Sequence, residues 1–523
     1  MSLGLESSGF HRVMANEISP MAAETFAYNL VQGARKSAAP SPKSPESWSP
    51  HFVFIDPPCN GAVGTANERM FRDWRDHARP GHQPSKEVEA VFRGESSSNL
   101  LVGHAGRLPD LLEAFRADHP ILFERRFGSI DLLAGGPPCQ SFSLAGKRQK
   151  DNPRNRLFEA FVAVVKIVRP KVVLFENVLG ITHPFIDEAG DKWHPWHEVC
   201  RAFRKAGYLP VPSLVNADDF GVPQSRQRFI LVAVSDEIAQ KVTGSALGKG
   251  GLAEALHRAR TRYENSDNDR ELLFRAETDI DRGFWPFPLF PLPNSLQAKD
   301  KVTVRSAIED LLSIERDGTH VQGKYAARLD KLLKPPAGIL APVIPPNHGR
   351  RNHGERTRAR FRLLQTLAAE GFRAKSMVEV AKKQGEALRL LVGKSLFVPL
   401  PDGTYVERDQ AGTYEVLRLI DSLASAKNVQ KCLNPEKPAG AQLSIPDDSV
   451  HWEAERVLTI REMARIQSFP DWFEFRSKET TGGSSRAFEV PQYTQVGNAV
   501  PPLLALAFGT AIKEFLAKVS QLE

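Results

Sequence analysis

One cysteine, one carboxylate and two arginines each stand beside an apolar run, and together they could carry out nucleophilic chemistry. Cys139 lies in Gly135-Gly136-Pro137-Pro138-Cys139-Gln140-Ser141-Phe142-Ser143, directly after Ile130-Asp131-Leu132-Leu133-Ala134. A proline-stiffened polar loop at a strand end is a way to present one reactive side chain at the rim of a sheet. Glu176 and Asn177 follow a second apolar run, Val172–Phe175, and Arg226 and Arg228 precede a third, Phe229–Val234. A neighbouring arginine favours the thiolate over the thiol, and the thiolate is the nucleophile. Glu176, with Asn177 beside it, reads as a placed hydrogen-bonding group rather than a surface carboxylate. A lone cysteine is more often a small buried hydrophobe, but the polar, proline-rich setting of Cys139 argues against that here.

These groups need a sheet to hold them. Runs of apolar residues alternate with helix-like segments from Ile130 to Val234, which predicts an α/β fold with a parallel sheet covered on both faces. Val13–Glu17 reads as a short buried strand ending in a carboxylate, with a helix following through Tyr28. Another helix is expected near Leu108–Ala117, a strand near Val457, and a closing helix around Leu503–Val519. Ser37–Pro50 is rich in proline and serine and reads as a mobile loop. Residues 345–375 carry eight basic side chains against Glu355 and Glu370, with Phe361, Leu364, Leu367 and Ala368 at helical spacing. That pattern is a basic amphipathic helix.

Bulk composition narrows the class. With 523 residues the chain fits two or three domains, and 41% hydrophobic with 25% charged residues is ordinary for a globular protein. A net charge of +7 permits a polyanionic partner without requiring one. The four cysteines, Cys59, Cys139, Cys200 and Cys432, are dispersed and form no CxxC pair, so no metal site or disulfide framework is expected. No secretory signal or membrane-spanning run stands out, and a cytoplasmic setting is expected.

Taken together, the motifs resemble the DNA (cytosine-5)-methyltransferase family. Gly135–Ser143 resembles its nucleophile loop, Glu176-Asn177-Val178 its ENV motif, and Gln224-x-Arg226-x-Arg228 its QxRxR motif. Arg461–Pro470 is similar to the segment that packs the recognition domain onto the catalytic core, and Gln495–Pro502 to the last motif. All five occur in the family's order. The resemblance implies an α/β SAM-dependent methyltransferase domain, Rossmann-like, with a smaller target-recognition domain inserted: catalytic residues 1–235, recognition residues 236–450 and a completing segment 451–523.

By that resemblance Cys139 attacks C6 of a cytosine and C5 then accepts a methyl group from S-adenosyl-L-methionine. Glu176 binds N3 and the exocyclic amine, Arg228 contacts O2, and Arg226 supports Glu176. The target base must leave the duplex to be reached, with Gln140, Ser141 and Ser143 lining the space it vacates. Glu17 is expected on the cofactor ribose, and Ile18, Pro138, Leu157, Asn498 and Val500 around the cofactor. The basic stretch, including Arg350, Arg351, Arg356, Arg358 and Arg360, is expected to meet phosphates of double-stranded DNA. The chain is expected to act as a monomer, without a membrane, and in a restriction–modification pair whose endonuclease acts separately. An RNA cytosine methyltransferase and an inactive DNA-binding remnant are the alternatives.

Three departures from the family pattern stand out. Its opening strand and FxGxG loop have no counterpart before Ser2, and Met1 falls where that loop should end. An upstream start is the favoured explanation over a truncated remnant, and an unpaired strand edge is expected beside the cofactor. Where the family usually carries an aspartate for the adenine, residues 100–110 place His104 or Gly106, with Asp110 the alternative, and that contact is left unassigned. Asp56-Pro57-Pro58-Cys59 mimics an amino-methylating loop but lacks the Gln-Ser-Phe-Ser continuation, so Cys59 is not expected to be the nucleophile.

Overall fold

The strands that build the sheets are short, apolar and mostly buried, as expected for strands covered on both faces. In the computed structural model, residues 1–31, 52–55, 83–137, 157–186, 192–261, 273–294, 296–340, 342–369, 371, 397–399, 405–407, 423, 430–442, 444–482 and 489–522 are described. Strands through residue 275 are β1 (Ala15–Glu17), β2 (Val53–Phe54), β3 (Leu100–Val102), β4 (Leu132–Gly135), β5 (Val172–Val178), β6 (Phe185–Ile186), β7 (Lys192–Trp193), β8 (Tyr208–Asn216), β9 (Gln224–Ser225), β10 (Gln227–Ser235) and β11 (Phe274–Arg275). They form a three-stranded sheet in the order β1-β3-β2 and a five-stranded sheet in the order β11-β8-β10-β5-β4. β6 pairs with β7, and β9 pairs with Ala439–Gly440.

Side-chain alternation explains the layers. Leu101 of β3 packs with Leu111, Leu112 and Phe115 of the helix Leu108–Asp118 and with Val164, Ile167 and Val168 of the helix Leu157–Val168. Its neighbours Leu100 and Val102 face the other way, onto Ala23 and Ala27 of the helix Pro20–Leu30. Period-two geometry therefore puts helices on both faces of β3. Val162 and Val165, on the other side of the helix Leu157–Val168, join Val172–Phe175 in the largest core cluster. One helix thus spans the cores of both sheets.

The expected all-parallel sheet is corrected in one respect. β1-β3-β2, β4-β5 and β8-β11 are parallel, but β10 runs antiparallel to both β5 and β8. Only residues 217–226 join β8 to β10, too few to return the chain through a helical crossover. The strand expected near Val457 reduces to one bridge, Val450 to Val457. The described helices that follow are Ile460–Ile466, Gln492–Asn498 and Pro502–Val519.

The core does not stop at residue 235. Ile238, Leu252, Leu256, Trp285, Phe290, Val304, Leu311, Tyr325 and Leu329 belong to the same cluster as the β5 and β10 side chains, and β11 extends the sheet itself. The chain end is anchored there too. Leu503, Leu504, Phe508, Ile512 and Phe515 are buried. The helix Ser2–Ser7 packs so closely on this segment that a Cβ at Gly4 would lie 2.3 Å from the Pro502 carbonyl oxygen. The helical run Gln492–Val519 is apolar and long enough to cross a bilayer, but its apolar side chains are spent on this packing.

Candidate active site

β4 and β5 lie side by side in parallel register, Gly135 opposite Phe175, so the ends of the two strands emerge together. Two glycines permit the approach that follows. A Cβ on Gly135 would come within 2.4 Å of the Phe161 ring, and one on Gly136 within 2.8 Å of Glu176 Oε2. Asn177 Nδ2 donates to the Pro137 carbonyl at 3.4 Å, and its Oδ1 accepts from the Val178 N–H. The lead-in to the cysteine loop is therefore held beside Glu176. Pro138, Cys139, Gln140, Ser141 and Ser143 lie outside the described residues, as do Cys59 and Ser37–Pro50.

Glu176 is met from the other side by β10. Arg228 Nε is 2.9 Å from Glu176 Oε1, and both side chains are nearly buried, at 9% and 12% exposure. Arg228 lies opposite Val178 in the antiparallel ladder, so two registers fix the pair rather than one flexible loop. Nη1 of Arg228 also donates to the Gln227 carbonyl at 2.8 Å. A buried, charge-assisted contact of this kind holds the carboxylate in one orientation.

The direct hold on Glu176 thus falls to Arg228, not to Arg226 as expected. Arg226 sits between β9 and β10, where its backbone N–H donates to Asn216 Oδ1 at 2.7 Å. Its guanidinium turns toward the C-terminal segment instead. Nη1 donates to the Gln442 carbonyl at 2.9 Å and to Gln224 Oε1 at 3.3 Å, and Nη2 to the Gly497 carbonyl at 2.5 Å. Burial first, then the charge of Arg228, pulls Arg226 down to about 9, with Glu176 acting in the opposite sense.

A second group of expected residues lies at the end of β1, at the start of the helix Leu157–Val168 and in the C-terminal segment. Glu17 ends β1 and its Oε1 accepts from the Ile18 N–H at 2.9 Å and the Ser19 N–H at 3.0 Å. Burial raises its pKa, and those two backbone bonds offset part of the rise. Ile18 leads into the helix Pro20–Leu30, which Gln495 ties to the C-terminal segment. Thr25 Oγ1 donates to Gln495 Oε1 at 2.6 Å, and Gln495 Nε2 to the Met21 carbonyl at 3.2 Å. Asn498, three residues on, is exposed while Val496 and Gly497 beside it are buried, and Val500 is half-buried. Leu157, at the start of its helix, is half-buried.

A family model described as C-5 cytosine-specific DNA methylase matches residues 113–514. The chain belongs to this family. It is 27% identical to the type II methyltransferase M.DdeI of Desulfomicrobium norvegicum over 393 residues, which cover 75% of this chain and 74% of that protein. It is 28% identical to M.XorII of Xanthomonas oryzae pv. oryzae over 407 residues, covering 74% and 69%. Among solved structures, S. pombe Dnmt2 methyltransferase aligns over 82% of this chain and 88% of its own, at 13% identity and a TM-score of 0.36.

This methylase is an α/β enzyme whose methyl donor is S-adenosylmethionine. The residues present suit that cofactor. Glu17 carries both described hydrogen bonds on Oε1, which leaves Oε2 to accept from a pair of ribose hydroxyls.

The basic stretch behaves less simply than its composition implies. The helix Glu355–Ala369 forms, and buries Ala359, Phe361, Arg362, Leu363, Leu364 and Leu367, while Ala368 is exposed. Arg358 and Arg362 both reach Glu455, at 2.8 and 2.9 Å. Arg351 pairs with Asp447 at 3.2 Å, Arg350 comes within 4.0 Å of Glu315, and Arg360 Nε donates to the Leu423 carbonyl at 2.6 Å. Four of these five side chains therefore tie the helix region to residues 423–455. Arg350, Arg356 and Arg358 remain exposed.

Sequence reasoning missed the joint beside this helix. Asn347, in the left-handed region at φ 64, donates to the Phe475 carbonyl at 2.9 Å and Gln492 Oε1 at 3.0 Å, and accepts from the Phe475 N–H at 2.8 Å. Its own carbonyl takes the Arg461 N–H at 2.9 Å. Asparagine tolerates that backbone region better than most residues, but no sequence spacing pointed to its partners. Glu462 lies inside the motif Arg461–Pro470, but its partner did not show in the sequence. Burial would raise its pKa, yet the two-pronged contact with Arg456, 2.7 Å at each oxygen, holds it down to about 2.

Proposed function

We propose that this enzyme methylates C5 of a cytosine flipped out of a specific duplex sequence, as the modification half of a restriction–modification pair in the cytoplasm. The observation that carries the site assignment is the Arg228–Glu176 contact beside Gly136 and Pro137, two residues before the cysteine. The relatives M.DdeI and M.XorII, both named type II methyltransferases, support the restriction–modification context.

Cytosine C5 is a poor nucleophile, so the ring must first be activated. Cys139 Sγ forms a bond to C6, and the displaced π-electrons make C5 enamine-like. Glu176 hydrogen-bonds N3 and the exocyclic amine, steadying the charge that builds there, and Arg228 keeps that carboxylate in register while reaching toward O2. S-adenosylmethionine, when bound, supplies the methyl group to C5. Loss of the C5 proton then expels Cys139 and restores the aromatic ring. Glu17, Ile18, Pro138, Leu157, Asn498 and Val500 hold the cofactor, and the Gln140–Ser143 loop lines the space the flipped base leaves. The DNA-reading part lies within residues 236–450, beyond the stretch that shares the catalytic core. Arg350 and Arg356 are its exposed phosphate contacts.

A duplex containing 5-fluorocytosine tests this directly, because fluorine at C5 cannot leave as a proton does. Incubation with cofactor should trap a covalent adduct that maps to the peptide containing Cys139 and is lost in Cys139→Ser. An adduct on Cys59, or equal methyl transfer to tRNA and no trapping on DNA, would reject the assignment.

A further inference from the structure

The two carbonyls flanking Asn498 are both held by buried side chains. Gly497 O accepts from Arg226 Nη2, and Ala499 O accepts from Gln467 Nε2. The helix Gln492–Asn498 ends here, and Ala499 leaves it in an extended conformation, so neither carbonyl continues a helical ladder. Gln467 is itself held: its Oε1 accepts from Gln224 Nε2. Gln224 Oε1 in turn accepts from the Gln442 N–H at 2.9 Å and from Arg226 Nη1. Gln224, Gln467 and Gln442 are all essentially buried, at 0%, 0% and 2% exposure. In this array of three amides and one guanidinium, each hydrogen bond fixes the next.

We infer that Gln467 is a positioning residue for the cofactor pocket: through the Ala499 carbonyl, with Arg226 on Gly497, it sets the direction in which Asn498 and Val500 face. The inference rests on the proposed placement of the cofactor against those two residues. The chemistry is that of peptide-plane control. A carbonyl fixed on each side of Asn498 leaves its backbone little rotational freedom, and a buried amide network of this kind specifies one arrangement. Asn498 is exposed between buried Gly497 and half-buried Ala499, so the array's rigidity is delivered where the chain meets solvent. The same array reaches the base-binding side. Arg226 is two residues from Arg228, whose guanidinium holds Glu176, so a shift of one strand end would move both halves of the site.

The test is S-adenosylmethionine binding by titration calorimetry to the full chain, with DNA binding and steady-state kinetics measured alongside. Gln467→Met keeps the volume and removes the donor to Ala499. The expected result is about a tenfold rise in the cofactor Kd and KM, with the DNA Kd within twofold and backbone amide exchange accelerated at 496–500. Gln467→Asn, one methylene shorter, should show the same pattern if Gln467→Met does not fold. An unchanged cofactor Kd in a folded variant, or an equal loss of cofactor and DNA affinity, would overturn the inference. Asn498→Ala separates the two readings. If it leaves cofactor binding untouched, the pocket assignment has failed. If it weakens binding while Gln467→Met does not, the pocket stands and the positioning role falls.

Discussion

Arg228 Nε lies 2.9 Å from Glu176 Oε1, and the ladder between β10 and β5 sets that distance through the pairing of Arg228 with Val178. A carboxylate fixed by two strands keeps its orientation before any substrate arrives. Preorganisation of this kind removes a reorganisation cost from the chemical step.

Arg228→Ala should therefore lower kcat for DNA methylation by on the order of 10²-fold, while the cofactor Kd changes less than twofold. Arg228→Lys should recover little, since an ammonium lacks the planar fork that matches the carboxylate. Single-turnover methyl transfer with calorimetry on the same preparations checks both. A parallel loss of cofactor affinity would show that the arginine serves the whole site rather than the base.

Gly136→Ala places a methyl group 2.8 Å from Glu176 Oε2. Nothing but a shift of the carboxylate or of the loop relieves that contact. The expected outcome is a drop of tenfold or more in kcat, about 1.4 kcal/mol of lost transition-state stabilisation, with a melting temperature close to the parent's. Wild-type activity in the variant would mean the loop is slack enough to absorb the methyl.

Salt dependence separates the arginines of the basic helix region. Arg350→Ala and Arg356→Ala should each reduce the slope of log K against log salt by about 0.9 if each meets one phosphate. Arg362→Ala should leave the slope alone and cost stability, because its side chain is buried against Glu455. Fluorescence anisotropy on a cognate duplex across a salt series gives the slopes, and thermal melts give the stability.

Acid should weaken the joint between the helix Ile460–Ile466 and its neighbours. Glu462 is held down to about 2 from an ordinary 4.5. A depressed carboxylate stabilises the fold above its unfolded pKa, and that contribution is lost as pH falls from about 4.5 toward about 2. Urea unfolding across that window should show the loss in the parent. Glu462→Gln should be less stable at neutral pH and show a shallower acid slope. His451 nearby acts in the same direction: burial first lowers it from an ordinary 6.5 to about 4, so its protonation also costs stability as pH falls through that interval.

Much of this molecule was legible in its linear order. Apolar runs before Gly135, Glu176 and after Arg228 marked three strands, and the residue types at their ends marked the chemistry, because strand ends are where a buried sheet meets solvent. The amphipathic spacing of Phe361, Leu364 and Leu367 likewise announced its helix, and all three side chains are buried. Local pattern is enough for such features, since each depends on a few neighbouring residues.

What only the tertiary structure decided are the partners. The direction of β10, the assignment of Arg228 rather than Arg226 to Glu176, and the turn of basic side chains toward Glu455 and Asp447 all depend on residues far away in the chain. Arginine looks the same in sequence whether it faces phosphate or an internal carboxylate. Asn347 and Gln442 carried no visible signal, and Gln467, though inside the motif Arg461–Pro470, gave no hint of its partners, because a buried amide's role is identified only by the atoms that close around it. Residue types and spacing determined which reaction this chain belongs to; long-range packing decided which side chain holds which group in place.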